Sequence, residues 1–289
     1  MTPTHQSSRG RSDGVLALDP SRPITAAVDA IPRSGQLDGL VARSIEQPLA
    51  CFTDRRTGVR FEVHRPFEAP ARWRAYLDGA ERRYCAHGVL PALGRPGLED
   101  GLASSLLFVA VDAEDRVMAG VRCHGPLRAA SDAHALREMA LHPRVGAVDA
   151  LIAERLSRGL VEVKGAWVDA DAPFPGLSDA LARCHVHAMR WFGVQYAMCT
   201  CADNVAPRWE STGGRPMPDA EPVPYPDDRY RTLLLWWDRD RLPELASPEQ
   251  WSRIITEDED LLGSRPPAAR GEPAAAGTTV DEWQAEVLD

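Results

Sequence analysis

The order of apolar runs between residues 59 and 237 limits the folds open to this chain more than any other feature. Residues 59–65 alternate apolar and polar side chains at a strand's period, and Trp73, Leu77, Ala80 and Tyr84 recur at helical spacing within 69–85, so the core opens strand then helix. The apolar run at 106–111 reads as a buried strand, Asp112 to Asp115 turn the chain, and 116–124 returns as its hairpin partner. A largely helical segment at 133–158, split by Pro143, precedes a strand at 161–169. Next come a loop at 169–177, a helix capped by Ser178 or Asp179 and stopped by Gly193, and a strand at 194–201. A short helix at 205–212 and a last strand at 230–237 complete the order. Such interleaving predicts a mixed sheet with helices on both faces, in the α/β or α+β class.

Lys164 is the chain's one lysine, and it sits two positions after Glu162 in Val161-Glu162-Val163-Lys164-Gly165-Ala166-Trp167-Val168-Asp169. Strand alternation puts Glu162 and Lys164 on one face and Val161, Val163 and Gly165 on the other. Ionisable groups facing a core are costly unless paired or set along a cleft. Two readings stay open: an ion pair on a solvated sheet face, or a catalytic or substrate-binding strand.

Three regions are expected: an N-terminal arm at 1–45 with a short helix near 37–45, one domain at 51–256, and an acidic tail at 257–289. The net charge is −9, but residues 241–289 hold eleven acids against four arginines, so the body is nearly neutral. A nucleic-acid partner is not expected without a basic face. No apolar stretch approaches the ~20 residues that span a bilayer, and the N-terminus lacks the apolar core of a signal peptide, so the expected location is the cytoplasm. Cys51, Cys85, Cys123, Cys184, Cys199 and Cys201 read as reduced, packed thiols. Cys184-His185-Val186-His187, Cys199-Thr200-Cys201 and His124 contain enough soft ligands for zinc, yet residues two apart on a helix do not share a face, and no metal is expected. The stretch at 279–288 has a capping-box start and one apolar helical face, which fits a docking peptide for a protein partner or a segment folded back on its own domain.

The hairpin ending Gly120-Val121-Arg122, the Glu162 strand with its Glu-Val-x-x-x-x-Val-Asp pattern, the helix to Gly193, the next strand and the short helix closing on Gly213-Gly214 together resemble the GNAT acyltransferase superfamily. Within it they are most similar to the N-acyl amino acid synthases and acyl-homoserine-lactone synthases, over roughly residues 59–238. The resemblance implies a GNAT-like acyl-CoA N-acyltransferase fold whose central strand and neighbour splay apart. In the gap, the pantetheine arm of an acyl thioester bonds main-chain groups as an extra strand would. Val163, Gly165 and Val168 are the expected contacts to that arm, and Gly176, Leu177 and Ser178 at the next helix start are expected to meet the phosphate end. The loop Asp171-Ala172-Pro173-Phe174-Pro175-Gly176-Leu177 has two prolines and one glycine, so acyl-carrier-protein phosphopantetheine stands beside acyl-coenzyme A as the expected donor.

The activity implied is transfer of the acyl group to the amine of an amino acid or related small metabolite. Glu162 is the expected base, and Lys164 holds it ionised or binds an acceptor carboxylate. Arg122, His124 and Trp167 are the substrate-binding candidates, and the oxyanion donor is expected to be a strand amide exposed by a bulge. Acyl-homoserine-lactone synthases usually carry an Arg where this chain has Gly165, and residues 203–214 offer no Tyr to protonate a leaving thiolate, so lactone formation is not expected and the general acid is unassigned. Two other classes stand beside this one: a non-catalytic GNAT-like binding module, and a GNAT-like enzyme that hydrolyses or decarboxylates a thioester.

Overall fold

The sheet is assembled around one run of six buried residues. In β3 (Leu106–Val111) every side chain is buried, so both of its faces must be covered. The computed structural model describes residues 46–264, apart from Pro96 and Asp219. The expected N-terminal arm and the amphipathic stretch at 279–288 lie outside the described residues. β1 (Ala50–Thr53) and β2 (Arg60–His64) lead into α1 (Pro70–Ala86), after which β3 and β4 (Val117–His124) form the expected hairpin. Pro143 falls between α2 (His134–Glu138) and α3 (Val145–Leu156), which precede β5 (Leu160–Val168). Then follow α4 (Leu177–Phe192), β6 (Tyr196–Ala202), α5 (Ala206–Glu210), β7 (Arg215–Pro216), β8 (Thr232–Asp238), α6 (Leu242–Leu245) and α7 (Pro248–Ser264).

Among the described residues the eight strands are ordered β1-β2-β3-β4-β5-β6-β8-β7. All pairs are antiparallel except β5 and β6. One face packs on α1 through Trp73, Tyr76 and Leu77, and on α2 and α3 through Ala135, Met139 and Ile152. The other packs on α4 and α7 through Leu181, Cys184, Ala188, Ile254 and Leu261. This is the mixed α/β class read from the sequence.

One irregularity sets the site. Between Gly120–Trp167 and Arg122–Lys164 the β4–β5 register slips, giving β5 one extra residue at Gly165–Ala166. Gly165 has φ +65°, a left-handed conformation that a side chain would resist. The extra residue reverses the alternation: Val161 and Val163 face α4 before it, and Ala166 and Val168 after it. Trp167 is thereby moved onto the face of Glu162 and Lys164, where its indole lies over Gly79 of α1.

Two expectations about helices are corrected. Neither Ser178 nor Asp179 caps α4; the cap position is Gly176 at φ +88°, with no side-chain cap bond. At that positive φ any side chain would be strained, which favours glycine, and the Arg56 guanidinium lies over the position. At the other end, the boundary drawn at residue 256 falls inside α7, because Glu257 and Asp258 are buried partners of α4 rather than solvated tail charge.

Candidate active site

β5 and β6 pair only through Leu160–Tyr196, Val161–Ala197 and Glu162–Met198. Past that point they diverge, and Lys164 to Val168 on one side and Thr200 to Ala202 on the other line a cavity of about 630 Å³. A bulge bends its own strand, which is the local reason for the fork. The opening passes through the sheet: Glu138, Lys164 and Thr200 reach it from the face of α2, while Ser178, Leu181 and Cys201 reach it from the face of α4. Tyr84, Trp167, Trp209, Tyr225 and Tyr230 make its walls strongly aromatic.

Glu162 does not line this cavity. Its carboxylate is fully buried and accepts hydrogen bonds from the backbone N–H groups of His134 (2.9 Å) and Ala135 (2.8 Å), the first two residues of α2. Burial alone would raise its pKa, but the Lys164 charge, 3.7 Å away, and the bonds from His134 more than offset it and hold the group at about 2. A carboxylate so weakly basic, with both oxygens taken by a helix N-terminus, is not placed as the expected base; it anchors α2. Two carboxylates line the cavity, Asp169 just after β5 and, at the end of α2, Glu138. Glu138 accepts hydrogen bonds from Lys164 Nζ and Thr200 Oγ1. Lys164, only 9% exposed in its side chain, is thus held between two carboxylates.

Of the expected substrate-binding residues, Trp167 lines the cavity. His124 is turned away: its two ring nitrogens lie 3.2 Å from the carbonyls of Ala103 and Asp132, and its ring packs on His134. Arg122 is 3% exposed and donates to Ser104 Oγ at 3.2 Å, with its guanidinium beside the Tyr76 hydroxyl. Tyr76 in turn donates to the Gly165 carbonyl at 2.8 Å. In a trans peptide the carbonyl and the following N–H point in opposite directions, so the Ala166 N–H points away from Tyr76 and α1. Arg122 therefore sits behind the bulge, next to the residue that fixes it.

The expected donor contacts divide in the same way. Gly165, Val168 and Ser178 line the cavity, whereas Val163 and Leu177 are core residues and Gly176 is covered by Arg56. At the start of α4 the N–H groups of Leu177, Asp179 and Ala180 are bonded to Phe174 O and Gly176 O. The Asp179 carboxylate occupies the same place, 3.2 Å from both Arg56 and Arg208. With those N–H groups bonded and a carboxylate beside them, this helix start offers no cradle for a phosphate or pyrophosphate, in keeping with its two prolines and one glycine.

The zinc candidates do not converge. His187 is bonded to Glu257 and Asp258, while His185 is stacked on Trp237 and its pKa is lowered to about 3 by burial. Sequence reasoning missed Glu138, Thr200, Tyr84 and Tyr225. The one available signal for Glu138 was arithmetic: a buried lysine needs anions, and Glu138 is the only acid within 133–142.

Comparison with known proteins follows the same lines. No protein-family model matches the chain. The uncharacterized protein Rv1356c of Mycobacterium tuberculosis and the uncharacterized protein Mb1391c of Mycobacterium bovis are each 41% identical to it over 204 residues, spanning 70% of this chain and 78% of theirs. Among solved structures it is similar to FeeM, an N-acyl amino acid synthase from uncultured soil microbes, at 12% identity and a TM-score of 0.42, covering 66% of this chain and 98% of that one. An acyl-CoA N-acyltransferase from Pseudomonas aeruginosa matches at 12% identity and a TM-score of 0.42, covering 62% and 99%. The CoA-dependent acyl-homoserine lactone synthase BjaI matches at 13% identity and a TM-score of 0.43, covering 69% and 100%.

Proposed function

The chain belongs to the family of the mycobacterial proteins Rv1356c and Mb1391c, and on that premise we propose that it is an N-acyltransferase, moving an acyl group from a pantetheine thioester to an amine. The single observation that carries this reading is the fork: β5 loses its partner after Glu162 and runs on beside a cavity with a bulge at Gly165. Main-chain groups of β5 without a strand partner are ready to bond the amides of a pantetheine arm as a neighbouring strand would.

In this reading the thioester carbonyl lies beside the bulge, where the Ala166 N–H, held outward by the Tyr76–Gly165 bond, receives the charge that develops on oxygen. The neutral amine attacks, the C–N bond forms, the C–S bond breaks, and the proton that the nitrogen sheds is matched by the one that the departing sulfur takes up. Tyr84 and Tyr225 line the cavity as neutral hydroxyls, pushed up to about 12 by burial and by the Glu138 charge, and can supply that proton. The nucleotide end of coenzyme A has no cradle at α4, so the pantetheine portion is the part recognised.

The test measures free thiol released from octanoyl-pantetheine by the full chain, with and without an amine. Release that requires the amine is expected, together with a roughly tenfold lower kcat for Tyr76→Phe at unchanged donor KM, within the range typical of lost oxyanion alignment. Release at the same rate without amine would replace the reading with thioester hydrolysis, and no release with any amine would overturn it.

A further inference from the structure

The walls of the fork cavity carry a cation that nothing balances. Of the two acids that line it, Glu138 is bonded to Lys164, and Asp169 lies 3.9 Å from Arg82. Arg208 on α5 is paired with Asp179. Arg83, near the end of α1, also lines the cavity, but it has no carboxylate partner among the described residues, and its guanidinium lies 3.2 Å from the His87 ring. A half-buried guanidinium on a cavity wall is a ready partner for an oxyanion. Lys164, which the sequence offered for an acceptor carboxylate, is already held between Glu138 and Glu162.

A second unmet group lies on the same wall. Trp167 is 4% exposed and lines the cavity, and its buried Nε1–H finds no acceptor among the described residues. Leaving a buried donor unmade is costly, and a ligand oxygen drawn to this edge would satisfy it. The two groups are joined through α1: Tyr76 meets β5 at Gly165, Gly79 lies under the Trp167 indole, and Arg83 follows one turn on, about 6 Å further along the helix. Tyr84 and Tyr230 add aromatic wall beside them. We infer that Arg83 and the indole edge of Trp167 form a carboxylate subsite, and that the substrate carries this carboxylate at the end of an apolar or aromatic body, away from the reacting carbonyl and amine. The subsite takes its place in catalysis from the acyl-transfer reading, on which the inference rests. Such a carboxylate belongs either to the acceptor or to the far end of the acyl chain, and both present the same two oxygens to a guanidinium.

Two pairs of substrates, each differing by one carboxylate, test the subsite and locate its source through thiol release by the full chain. With octanoyl-pantetheine as donor, 4-(2-aminoethyl)benzoate is compared with 2-phenylethylamine; with 2-phenylethylamine as acceptor, suberyl-pantetheine is compared with octanoyl-pantetheine. A gain in kcat/KM of at least tenfold is expected in one pair, and the pair that shows it names the source. No gain in either overturns the subsite while leaving acyl transfer intact. Arg83→Met should reduce the gain to near unity through KM rather than kcat, and Arg83→Lys, which keeps the charge, should retain part of it. An undiminished gain in Arg83→Met overturns the assignment. Trp167→Phe keeps a ring and removes the N–H, so the gain should fall severalfold; an unchanged gain would remove Trp167 from the subsite. Calorimetric titration of the donor-free chain supplies the second arm, with 3-phenylpropionate expected to bind at least tenfold more tightly than 2-phenylethylamine and Arg83→Met expected to erase that preference. Carboxylate binding without thiol release would support the subsite and defeat the acyl-transfer reading; no preference for the carboxylate would defeat the subsite.

Discussion

Two buried charge clusters lie on opposite faces of the same sheet, and they have opposite surroundings. On the α4–α7 face, Arg183 donates to Glu257 (2.6 and 2.8 Å), Asp54 (2.7 Å) and Gln250 (2.8 Å), while His187 is bonded to Glu257 (2.8 Å) and Asp258 (2.9 Å). Arg183, His187 and their carboxylate partners are buried, and none of them lines the fork cavity. At the fork, Glu138, Lys164, Glu162 and Thr200 form a cluster of the same chemistry, but Glu138, Lys164 and Thr200 border the cavity. Burial and ion pairing are thus alike in both, and only the adjoining space separates them. The sealed cluster fastens α7 to the domain, whereas the open one borders the cavity.

Substitutions can break or sharpen that contrast. The largest effect is expected for Arg183→Met, which leaves Asp54 and Glu257 buried without their cation and should cost about 3–5 kcal/mol in denaturant unfolding. Activity per folded molecule should not change. Next is Glu162→Gln, which weakens the acceptor for two backbone N–H groups at α2 and should cost about 1–3 kcal/mol in the same unfolding experiment. The smallest is Asp179→Asn. Its ion pairs to Arg56 and Arg208 are more than a third exposed, so a stability change under about 1 kcal/mol is expected, read from the same unfolding curves.

The two clusters should also differ in pH response. Burial would lower the His187 pKa, but its bonds to Asp258 and Glu257 raise it above the usual histidine value. Its contribution is therefore complete below the unfolded pKa and lost as pH rises through the raised folded value. Phe52 of β1 covers the ring, and Arg183 and Arg190 share its carboxylate partners, so no other titrating base faces it from those elements. Amide hydrogen exchange in α7 should accelerate on the alkaline side after correction for intrinsic rate, and His187→Gln should abolish that step. Glu162 has the reverse sign: its pKa falls from 4.5 to about 2, so its contribution is present above the unfolded value and fades as pH drops between the two. Burial would raise the Glu257 carboxyl, but His187 and Arg183 hold it below its usual value, so acid should loosen α7 as well as α2, and only the alkaline step is particular to α7. Equal loosening of both helices at both extremes would erase the distinction between the clusters.

Local pattern carried the elements well where one residue's neighbours in sequence are also its physical determinants. The bounds of β3, the hairpin into β4, the break at Pro143 and the stop at Gly193 all follow from apolar runs, turn chemistry and backbone restriction. The helix α7 was misread because its acids look solvated in sequence, whereas Glu257 and Asp258 meet Arg183 and His187, about seventy residues away. Alternation holds from Val161 to Lys164 and fails beyond it, because the bulge at Gly165 puts Trp167 on the face of Glu162 and Lys164.

The sequence by itself determined that a mixed sheet would form and that Glu162 and Lys164 would share one face of a strand. Which of Glu138 and Glu162 reaches the cavity was decided only by tertiary structure. α2 arrives with its N-terminal amides at Glu162 and its last residue, Glu138, at Lys164, so one acid is used to hold a helix and the other is left beside open space. That choice depends on how a segment more than twenty residues away lies across β5, which no local spacing encodes.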